Sequence, residues 1–315
     1  MRHRRTACLL ILALGSAAIL IALPSSVLVD PSANLQLWHT PQTTHSWTID
    51  LPLLIRPTIL PTNASVLVCV TSAPENLDKR QAIRETWGTA PFLKVVFFLG
   101  LPHGIRAARQ QKVLNAENEA FGDVVQAKFD DDYRNLTIKV IALLLWAADE
   151  RWPSRRFVIK ADDDTFINAP LFLQYMDHFT NGYLYGLYRK SATVTRCNKT
   201  RCSKWGLTKS EFAPDNYPPH LQGTLYVFTE RALDRVNNHL FDPQYLFVED
   251  VYITGLVAAR AGVMRLPMPE GIYINSERPV KSIRSKLKKG LIAQHYCNPN
   301  WQRDLWKTVQ LQFKP

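Results

Sequence analysis

The stretch FVIKADDD at residues 157–164 decides the fold, because a short apolar run ends directly in three consecutive carboxylates. An apolar run of this length, rich in β-branched and aromatic residues, predicts a buried β-strand. Similar runs precede it at residues 65–71 (SVLVCVT) and 94–99 (KVVFFL), and segments with helical spacing separate them. This alternation predicts an α/β fold with a mostly parallel central sheet that helices cover on both faces.

The predicted elements place the acidic triplet at a ligand-binding edge, because ligands bind beyond the carboxyl ends of the strands in open α/β sheets. The first predicted helix begins with Asp78 as its N-cap and Gln81 three residues later, and it stops at Gly88. The remaining predicted strands cover residues 123–127, 157–161 and 222–229, and the remaining helices cover residues 107–120, 136–150, 231–239 and 251–261.

The triplet of Asp162, Asp163 and Asp164 is a candidate metal site, because three adjacent carboxylates repel one another unless a cation lies among them. Mg²⁺ and Mn²⁺ prefer oxygen ligands, usually one or two carboxylates together with substrate phosphates. Lys160 adds a positive charge that can bind phosphate or pair with a carboxylate. The residues alone leave an alternative open, which is a solvated acidic turn or a set of N-caps for a helix starting near Ala169.

Three further features of the second half carry possible chemistry. Glu249 and Asp250 open a predicted helix, so they are either helix caps or candidates for a general base. His295, in the block LIAQH, is either a metal ligand or a core histidine, and its local context favours the core. Residues 278–290 form a basic, flexible-looking segment that is either a lid over phosphates or a solvated loop.

The N-terminus predicts a membrane anchor. Basic residues lie among positions 2–5, and positions 7–23 form a run without any charge that apolar residues extend to position 29. This run approaches the roughly 20 residues that a helix needs to cross a bilayer, although a cleaved signal peptide remains the alternative. Basic flanks stay in the cytosol. The predicted division is therefore a cytoplasmic tail at 1–6, a transmembrane signal-anchor at 7–29, a luminal stem at 30–62 and a catalytic domain at 63–315.

Several features agree with a luminal body. Asn63, Asn135 and Asn198 each begin a triplet typical of N-glycosylation acceptors, and the spacing of Cys197 and Cys202 allows a small disulfide loop. The formal net charge of +11 suits phosphate ligands, anionic membranes or nucleic acid. The anchor and the lack of a basic-aromatic module disfavour nucleic acid.

Eight sequence blocks, in order, resemble the β-1,3-galactosyltransferase and β-1,3-N-acetylglucosaminyltransferase family (glycosyltransferase family 31), to which the fringe enzymes are more distantly related. The resemblance covers roughly residues 65–300. One block, EDVYITG, is a residue longer than the family's common EDVYVG form. The blocks are RQAIRETWG at 80–88, VVFFLG at 95–100, FDDDYRNLTIK at 129–139, KADDDTFIN at 160–168, KW at 204–205, the segment 211–228, EDVYITG at 249–255 and LIAQH at 291–295.

The resemblance implies a GT-A type fold and residue roles for an inverting single-displacement reaction. It implies that Asp164 and His295 bind Mn²⁺ or Mg²⁺, that Asp162 lies near the ribose or the metal, and that Asp250 is the catalytic base. Further residues are implied at the donor and acceptor sites. Contacts to the nucleotide-sugar are expected from Arg80, Arg84, Trp87, Lys160, Asp162 and Asp163, and the sugar pocket from Trp205, Glu211 and Glu249.

The function that the resemblance implies is transfer of a hexose from UDP-galactose or UDP-N-acetylglucosamine to a glycoprotein or glycolipid acceptor, with a β-1,3 linkage. The expected location is the Golgi membrane, with a single-pass type II topology. The alternative is a membrane-tethered glycan-binding protein of the same fold without turnover. A metal-dependent phosphoryl transferase is disfavoured, because the sequence shows no glycine-rich phosphate loop.

Overall fold

The computed structural model describes residues 47–58, 63–197, 202–268 and 273–312. The predicted cytoplasmic tail and signal-anchor, most of the predicted stem and Asn198 lie outside these residues. Within the described part of the chain, no helix is long and apolar enough to span a bilayer.

The described elements alternate between strands and helices as predicted. The strands are β1 (Leu53–Ile55), β2 (Val66–Thr71), β3 (Leu93–Leu101), β4 (Val124–Asp130), β5 (Phe157–Asp162), β6 (Phe166–Ile167), β7 (Leu184–Arg189), β8 (Ala192–Thr193), β9 (Asn216–Tyr217), β10 (His220–Thr229), β11 (Arg265–Pro267), β12 (Tyr273–Ile274) and β13 (Ala293–Gln294). The helices are α1 (Leu77–Glu85), α2 (Ala107–Phe121), α3 (Leu136–Asp149), α4 (Ala169–Met176), α5 (Glu230–Asn237), a π-helix (Val251–Val257), α6 (Ala258–Arg260), α7 (Val280–Leu287) and α8 (Pro299–Gln312).

Eight of the described strands form the central sheet, in the order β1-β4-β3-β2-β5-β10-β7-β11. Strands β4, β3, β2 and β5 are parallel, as predicted. Strand β10 is antiparallel to both β5 and β7, so the expected mostly parallel sheet is instead mixed. The physical reason is that the chain enters β10 at the edge where β5 ends. Residues 223–225 in the middle of β10 therefore lie beside the end of β5 and the acidic triplet.

The central strands are buried on both faces, and their side chains alternate between two hydrophobic clusters. In β2, Val66, Val68 and Val70 face the cluster formed with α1, α4, α7 and α8, while Leu67 and Cys69 face the cluster formed with α3, α5 and the π-helix. All six residues of β2 are buried. Burying a Val or Leu side chain contributes on the order of 1.5–3 kcal/mol, so this strand anchors the sheet.

Two local predictions about the first helix are wrong in detail. Helix α1 begins after Asn76 and places Asp78 inside its first turn, so Asp78 is not the N-cap. The helix ends at Glu85, and a 3-10 turn at Trp87–Thr89 follows where the helix was expected to reach Gly88. A β-carbon on Gly88 would lie 2.6 Å from the carbonyl oxygen of residue 83, which explains why a glycine suits this sharp turn.

Within the basic segment 278–290, residues Val280–Leu287 form helix α7, whereas the sequence indicated a flexible segment. Ile283 and Leu287 are buried, and the exposed Arg284 pairs with Asp304 on α8. The helical spacing of the two apolar residues explains why the segment docks on the body despite its charge.

The folded body also begins earlier than the predicted boundary at residue 63. Strand β1 pairs with β4, and the Trp47 ring packs edge-on against Phe241 and Tyr245. Part of the predicted stem therefore belongs to the sheet. Cys197 and Cys202 form the disulfide that their spacing allows. Cys69 is a buried free thiol.

Candidate active site

The acidic triplet lies at the carboxyl edge of the parallel strands. Asp162 is the last residue of β5 and stands opposite Thr71, the last residue of β2. The Thr71 hydroxyl donates to Asp162 Oδ1 across this pair, at 3.0 Å. The edge position agrees with the prediction that ligands bind where these strands end.

Two carboxylates of the triplet and a distant histidine meet at this edge. Asp162, Asp164 and His295 each offer one ligand atom, and these atoms all lie within 4.8 Å of one another. His295 Nε2 lies 2.9 Å from Asp164 Oδ1 and 4.0 Å from Asp162 Oδ2. The structure thus brings together the residues that the resemblance implies as a metal site.

His295 reaches the triplet through strand pairing. Strand β13 ends at Gln294 and pairs with β6, which directly follows the triplet. The backbone N–H of Cys297 then donates to the carbonyl oxygen of Asp164 at 2.8 Å. Tyr296, which lies between His295 and Cys297, has a φ of 61°. This value is rare for a residue other than glycine, and it turns the chain sharply.

The three donor groups fit a divalent cation such as Mn²⁺. His295 Nδ1 lies 2.7 Å from the side-chain oxygen of Asn275. If Nδ1 carries the proton of this hydrogen bond, Nε2 keeps its lone pair for a metal. When a proton rather than a metal is on Nε2, its hydrogen bond to Asp164 and its charge outweigh the effect of burial, so the pKa of Asp164 lies below its ordinary value. Two carboxylates and an imidazole are ligands that Mn²⁺ accepts.

Asp163 points away from its neighbours and into the protein. Its carboxylate accepts hydrogen bonds from Ser72, Asn76 and Lys79, each at 2.8 Å. Its exposed fraction is only 6%. The expectation that Asp163 contacts the nucleotide-sugar is therefore not met in this structure, since these bonds direct its carboxylate toward helix α1. Its contacts hold the triplet in place instead.

Two residues of the block at residues 80–88, Arg80 and Trp87, hold the acidic triplet in position from the interior of the protein. Arg80 is fully buried, pairs with Glu117 and donates to the Ser72 hydroxyl that also holds Asp163. Trp87 is equally buried, and its indole N–H donates to the side chain of Gln302. Gln302 in turn donates to the backbone carbonyl oxygen of Asp163 at 3.1 Å.

Arg84 lies one turn after Arg80 in α1 and pairs with the same Glu117. It also pairs with Asp123, just before β4, at the amino end of the parallel strands. The structure therefore places Arg80 and Trp87 behind the site and Arg84 toward the amino end of the strands. The burial of Arg80 and Trp87, and the ion pair that holds Arg84, keep all three from an open ligand surface.

Lys160 is a buried cation between the two acidic groups of the site. Its Nζ lies 2.5 Å from Asp162 Oδ1, 2.5 Å from the carbonyl oxygen of Gly223 and 3.7 Å from Glu249 Oε2. These charges outweigh the cost of burial and raise the pKa of Lys160. A fully buried ammonium held by three oxygens is a counter-ion rather than an open phosphate ligand. Its expected contact with the nucleotide-sugar is therefore not seen.

Glu249 and Asp250 have different surroundings although they are adjacent. Burial raises the pKa of Glu249 to about 7, against the opposing charge of Lys160, and the Tyr226 hydroxyl donates to Glu249 Oε1. Asp250 is partly exposed, and its two carboxylate oxygens accept the backbone N–H groups of Gly223 at 3.0 Å and Val251 at 2.9 Å. Asp250 is therefore the member of the pair that is open to a ligand, whereas Glu249 is enclosed and not available to a sugar pocket.

Gly223 connects the two halves of the site, and the sequence analysis did not single it out. Its N–H donates to Asp250 while its carbonyl oxygen accepts from Lys160. A β-carbon there would lie 3.1 Å from Glu249 Oε2 and 3.3 Å from Asp250 Cβ. The available signal was an isolated glycine inside a predicted strand, which often marks a close approach of the backbone.

The residue of extra length in EDVYITG coincides with the π-helix at Val251–Val257. A π-helix accommodates one added residue within a helical turn, and such turns are frequent at functional sites. The Thr254 hydroxyl donates to the carbonyl oxygen of Leu221 and accepts from its N–H, at 3.1 and 2.8 Å. The widened turn thus binds the helix to β10 beside Gly223.

Trp205 lies at the rim of the site with Tyr133. The Nζ of Lys204 lies 4.5 Å from the centre of the Trp205 ring and 5.1 Å from that of Tyr133. Burial, with smaller contributions from the carboxylates of Asp250, Asp162 and Glu249, raises the pKa of Tyr133 to about 12 against the effect of a hydrogen bond with Trp205. Tyr133 and Trp205 are both exposed, and Lys204 contacts the two rings.

The remaining predicted positions are exposed to different degrees. Glu211 is partly exposed and pairs with Arg134, next to Tyr133. Asn63 is exposed. Asn135 is partly buried, and its side-chain N–H₂ donates to the carbonyl oxygen of Asp130. N-glycosylation at these positions, and at Asn198 outside the described residues, stays a prediction.

Comparison with known proteins identifies the family. The family model described as "Galactosyltransferase" matches residues 78–269. The chain is 26% identical to human N-acetyllactosaminide beta-1,3-N-acetylglucosaminyltransferase 4 over 294 residues, which cover 91% of this chain and 76% of the relative. It is 30% identical to human beta-1,3-galactosyltransferase 5 over 254 residues, which cover 78% of each protein.

Among solved structures, the galactosyltransferase LgtC, in complex with donor and acceptor sugar analogs, matches with a TM-score of 0.37 and 10% identity. The match covers 79% of this chain and 97% of that protein. The match to the family model and the similarity to the two human relatives identify the family. The chain belongs to the galactosyltransferase family and is a hexosyltransferase whose relatives are named as β-1,3-galactosyltransferases and β-1,3-N-acetylglucosaminyltransferases.

Proposed function

We propose that this enzyme transfers galactose or N-acetylglucosamine from a UDP-sugar to a hydroxyl of a glycan acceptor, with inversion and a β-1,3 linkage. One observation supports the proposal. Asp162, Asp164 and His295 converge at the sheet edge, and Lys160 and Gly223 connect this group to a partly exposed Asp250.

Asp164, Asp162 and His295 are the residues that would hold the divalent cation. When bound, Mn²⁺ supplies Lewis-acid stabilisation for the negative charge that develops on the leaving diphosphate. Lys160 neutralises part of the carboxylate charge, because its Nζ lies 2.5 Å from Asp162 Oδ1. Asn275 holds the His295 ring in the orientation that ligation requires.

Asp250 is the proposed general base. Its two oxygens each accept one backbone N–H, which fixes the carboxylate and leaves lone pairs for a proton from the acceptor hydroxyl. Inversion requires the hydroxyl to attack from the face of the sugar opposite to UDP. A base whose position is fixed suits this requirement. A general base must first lie within hydrogen-bond reach of the proton that it accepts, and only then does its pKa matter.

A panel assay tests the proposal. The body from residue 47 onward is incubated with Mn²⁺, each of several UDP-sugars, and simple galactose- or N-acetylglucosamine-terminated acceptors, and both UDP release and the glycoside product are measured. We expect a β-1,3-linked product from UDP-galactose or UDP-N-acetylglucosamine, and loss of product in EDTA. Full product formation in EDTA would contradict the metal requirement. Binding of glycans without UDP release from any donor would instead favour a non-catalytic glycan-binding protein.

We also propose a Golgi membrane location with a type II topology, in which residues 7–29 anchor the chain and the body is luminal. The support is the basic flank and charge-free run of the N-terminus, together with the disulfide between Cys197 and Cys202. Protease added outside sealed microsomes should leave the body intact. Digestion of the body without detergent would reverse the assigned orientation.

A further inference from the structure

A tryptophan at the amino end of the described chain contacts the π-helix that follows Asp250. Trp47 is half-buried, and its indole N–H donates to the carbonyl oxygen of Pro243 at 3.0 Å and to the hydroxyl oxygen of Tyr252 at 3.1 Å. Trp47 and Tyr252 are 205 residues apart in the chain. The family resemblance begins near residue 65, so none of the roles that it implies involves Trp47.

Aromatic contacts surround these two hydrogen bonds. The centre of the Trp47 ring lies 5.1 Å from that of Phe241 and 5.2 Å from that of Tyr245, and both rings stand nearly perpendicular to it. Edge-to-face packing is a preferred geometry for aromatic pairs, so the indole is held in one orientation. Trp47 therefore fixes the loop at residues 238–248, which leads directly to Glu249 and the proposed base.

The segment around Trp47, residues 47–55, is called here the N-terminal strap, and it is itself fixed to the central sheet. Its strand β1 pairs with β4, and the carbonyl oxygen of Pro52 accepts the backbone N–H of Lys128 at 3.0 Å. Leu51 and Leu53 pack against the core on the α3 side of the sheet. The strap thus connects one edge of the sheet to the loop and helix that carry the base.

The contacts of Trp47 continue to the carboxylate of Asp250 through the first turn of the helix. Tyr252 is fully buried, and its hydroxyl donates to the carbonyl oxygen of Leu240 at 2.8 Å, so it joins the two ends of the loop. Tyr252 lies two residues after Asp250, and the Val251 N–H between them donates to that carboxylate. A shift of the Tyr252 ring would therefore move a group that holds the carboxylate.

We propose that Trp47 is a positioning residue for Asp250, and that the N-terminal strap is part of the catalytic unit rather than of the stem. This inference rests on the proposed function, in which Asp250 is the general base. Trp47 lies outside the metal group and acts by fixing the helix that carries the base. Because a base must lie within hydrogen-bond reach of its proton, a small displacement lowers turnover more than it weakens donor binding.

The alternative role for Trp47 is to stabilise the fold alone, and the two roles predict different kinetics. Loss of a purely structural contact lowers the melting temperature and leaves kcat of the folded enzyme unchanged. A displaced base lowers kcat even where the protein is fully folded. Trp152 offers a matched control, because it is also a half-buried tryptophan whose indole N–H donates to a backbone carbonyl oxygen. That oxygen belongs to Ala64, just before β2 and at the amino end of the parallel strands.

The test measures sugar transfer by the full-length chain in detergent, well below the melting temperature of each variant. Trp47→Ala should lower kcat by about tenfold and change KM for the UDP-sugar by less than about threefold. Trp47→Phe keeps a ring but loses the indole N–H, so it should recover part of the lost kcat. Trp152→Ala should lower the melting temperature and leave kcat nearly unchanged.

Unchanged kcat in both Trp47 variants, or an equal fall of kcat in Trp152→Ala, would overturn the proposal. If Trp47→Ala does not fold, Trp47→Phe decides, since wild-type kcat in that variant contradicts a role for the indole N–H.

Amide hydrogen exchange, measured with UDP and Mn²⁺ present, keeps a second readout independent of turnover. Trp47→Ala should speed exchange at residues 240–252 but not in β2 or β5, and Trp152→Ala should leave residues 240–252 unchanged. Equal exchange at residues 240–252 in Trp47→Ala and the wild type would show that the strap does not fix the base. Failure of the proposed function looks different, because no UDP-sugar would then yield product even with the wild type.

Discussion

Two runs of adjacent carboxylates, residues 162–164 and 249–250, differ in a way that residue type alone does not reveal. In the first run, Asp162 and Asp164 form the candidate metal site together with His295, while Asp163 is turned into the protein. In the second, Asp250 is partly exposed while Glu249 is buried against Lys160 and Tyr226. Each run thus pairs carboxylates that face a ligand with one that supports the structure. Adjacent acidic residues share a charge but not a role, because successive side chains point in different directions.

The largest expected effect separates the members of the first run. Asp164→Ala removes a proposed metal ligand, so sugar transfer should fall below detection and Mn²⁺ binding should weaken by at least about tenfold. Asp163→Asn is the control, since its contacts to Ser72, Asn76 and Lys79 are structural. It should lower the melting temperature while changing the Mn²⁺ dissociation constant by less than about threefold. A larger loss of Mn²⁺ affinity in Asp163→Asn than in Asp164→Ala would break the distinction.

The second run gives the next largest effect. Asp250→Asn keeps the shape of the side chain but cannot accept a proton, so kcat should fall by on the order of 10²–10⁴. Binding of UDP with Mn²⁺ should stay nearly normal, because Asp250 is not part of the metal group. Glu249→Gln should retain most turnover. If Glu249→Gln is inactive while Asp250→Asn still turns over, the base is the buried carboxylate and the comparison is reversed.

Gly223→Ala should have a smaller effect on rate. The added methyl group would lie 3.1 Å from Glu249 Oε2 and 3.3 Å from Asp250 Cβ, and so would displace the base. A misplacement of about 1 Å can cost on the order of 10²-fold in rate, and we expect a loss between about tenfold and that value. Gly182→Ala is unsuitable as a control because its φ of 104° already requires glycine. Gly186→Ala, in the neighbouring strand β7, is the control. It should lower the free energy of unfolding without a comparable fall in kcat at low temperature.

The sequence allowed strong predictions where the signal is local. The apolar run of β5 ends at the triplet, and both features can be read from eight consecutive residues. The approach of His295 could not be read in this way, because it depends on pairing between β13 and β6, which are far apart in the chain. Only the family resemblance pointed to it. The local pattern of LIAQH had favoured a core histidine.

Contacts made through the backbone were the least predictable part of the site. Gly223 acts through its N–H and its carbonyl oxygen, and Gln302 acts on the backbone of Asp163. Neither role changes the hydrophobic periodicity or the charge pattern of the sequence, so these patterns do not predict it. The same limit applies to Arg80 and Trp87, whose motif was recognised but whose side chains lie behind the site rather than in it. A motif identifies residues that matter, and the fold decides whether they contact the ligand or support those that do.

The smallest expected effect concerns stability and tests the buried carboxylate of the second run. The pKa of Glu249 is raised from 4.5 to about 7, chiefly by burial. The folded protein therefore holds this proton more tightly than the unfolded chain does. Its contribution to stability is complete below about pH 4.5 and is lost as the pH rises through 7. The full change amounts to about 3 kcal/mol, an order-of-magnitude value from the shift between the two pKa values.

Glu249→Gln has no proton to lose, so its stability should depend less on pH across this range. Relative to the wild type, the free energy of unfolding of the variant should increase between pH 5 and pH 8, measured by urea denaturation. Lys160 and Asp250 act in opposite directions on the charge of Glu249, and the pKa of about 7 includes both effects. The change is expected to stay below the full value, because part of it falls below pH 5. Glu119→Gln is the matched control, because Glu119 is exposed on helix α2, and its pH profile should follow that of the wild type. Parallel pH profiles for Glu249→Gln and the wild type would show that Glu249 is ionised throughout and that the buried member of this pair is a permanent partner of Lys160.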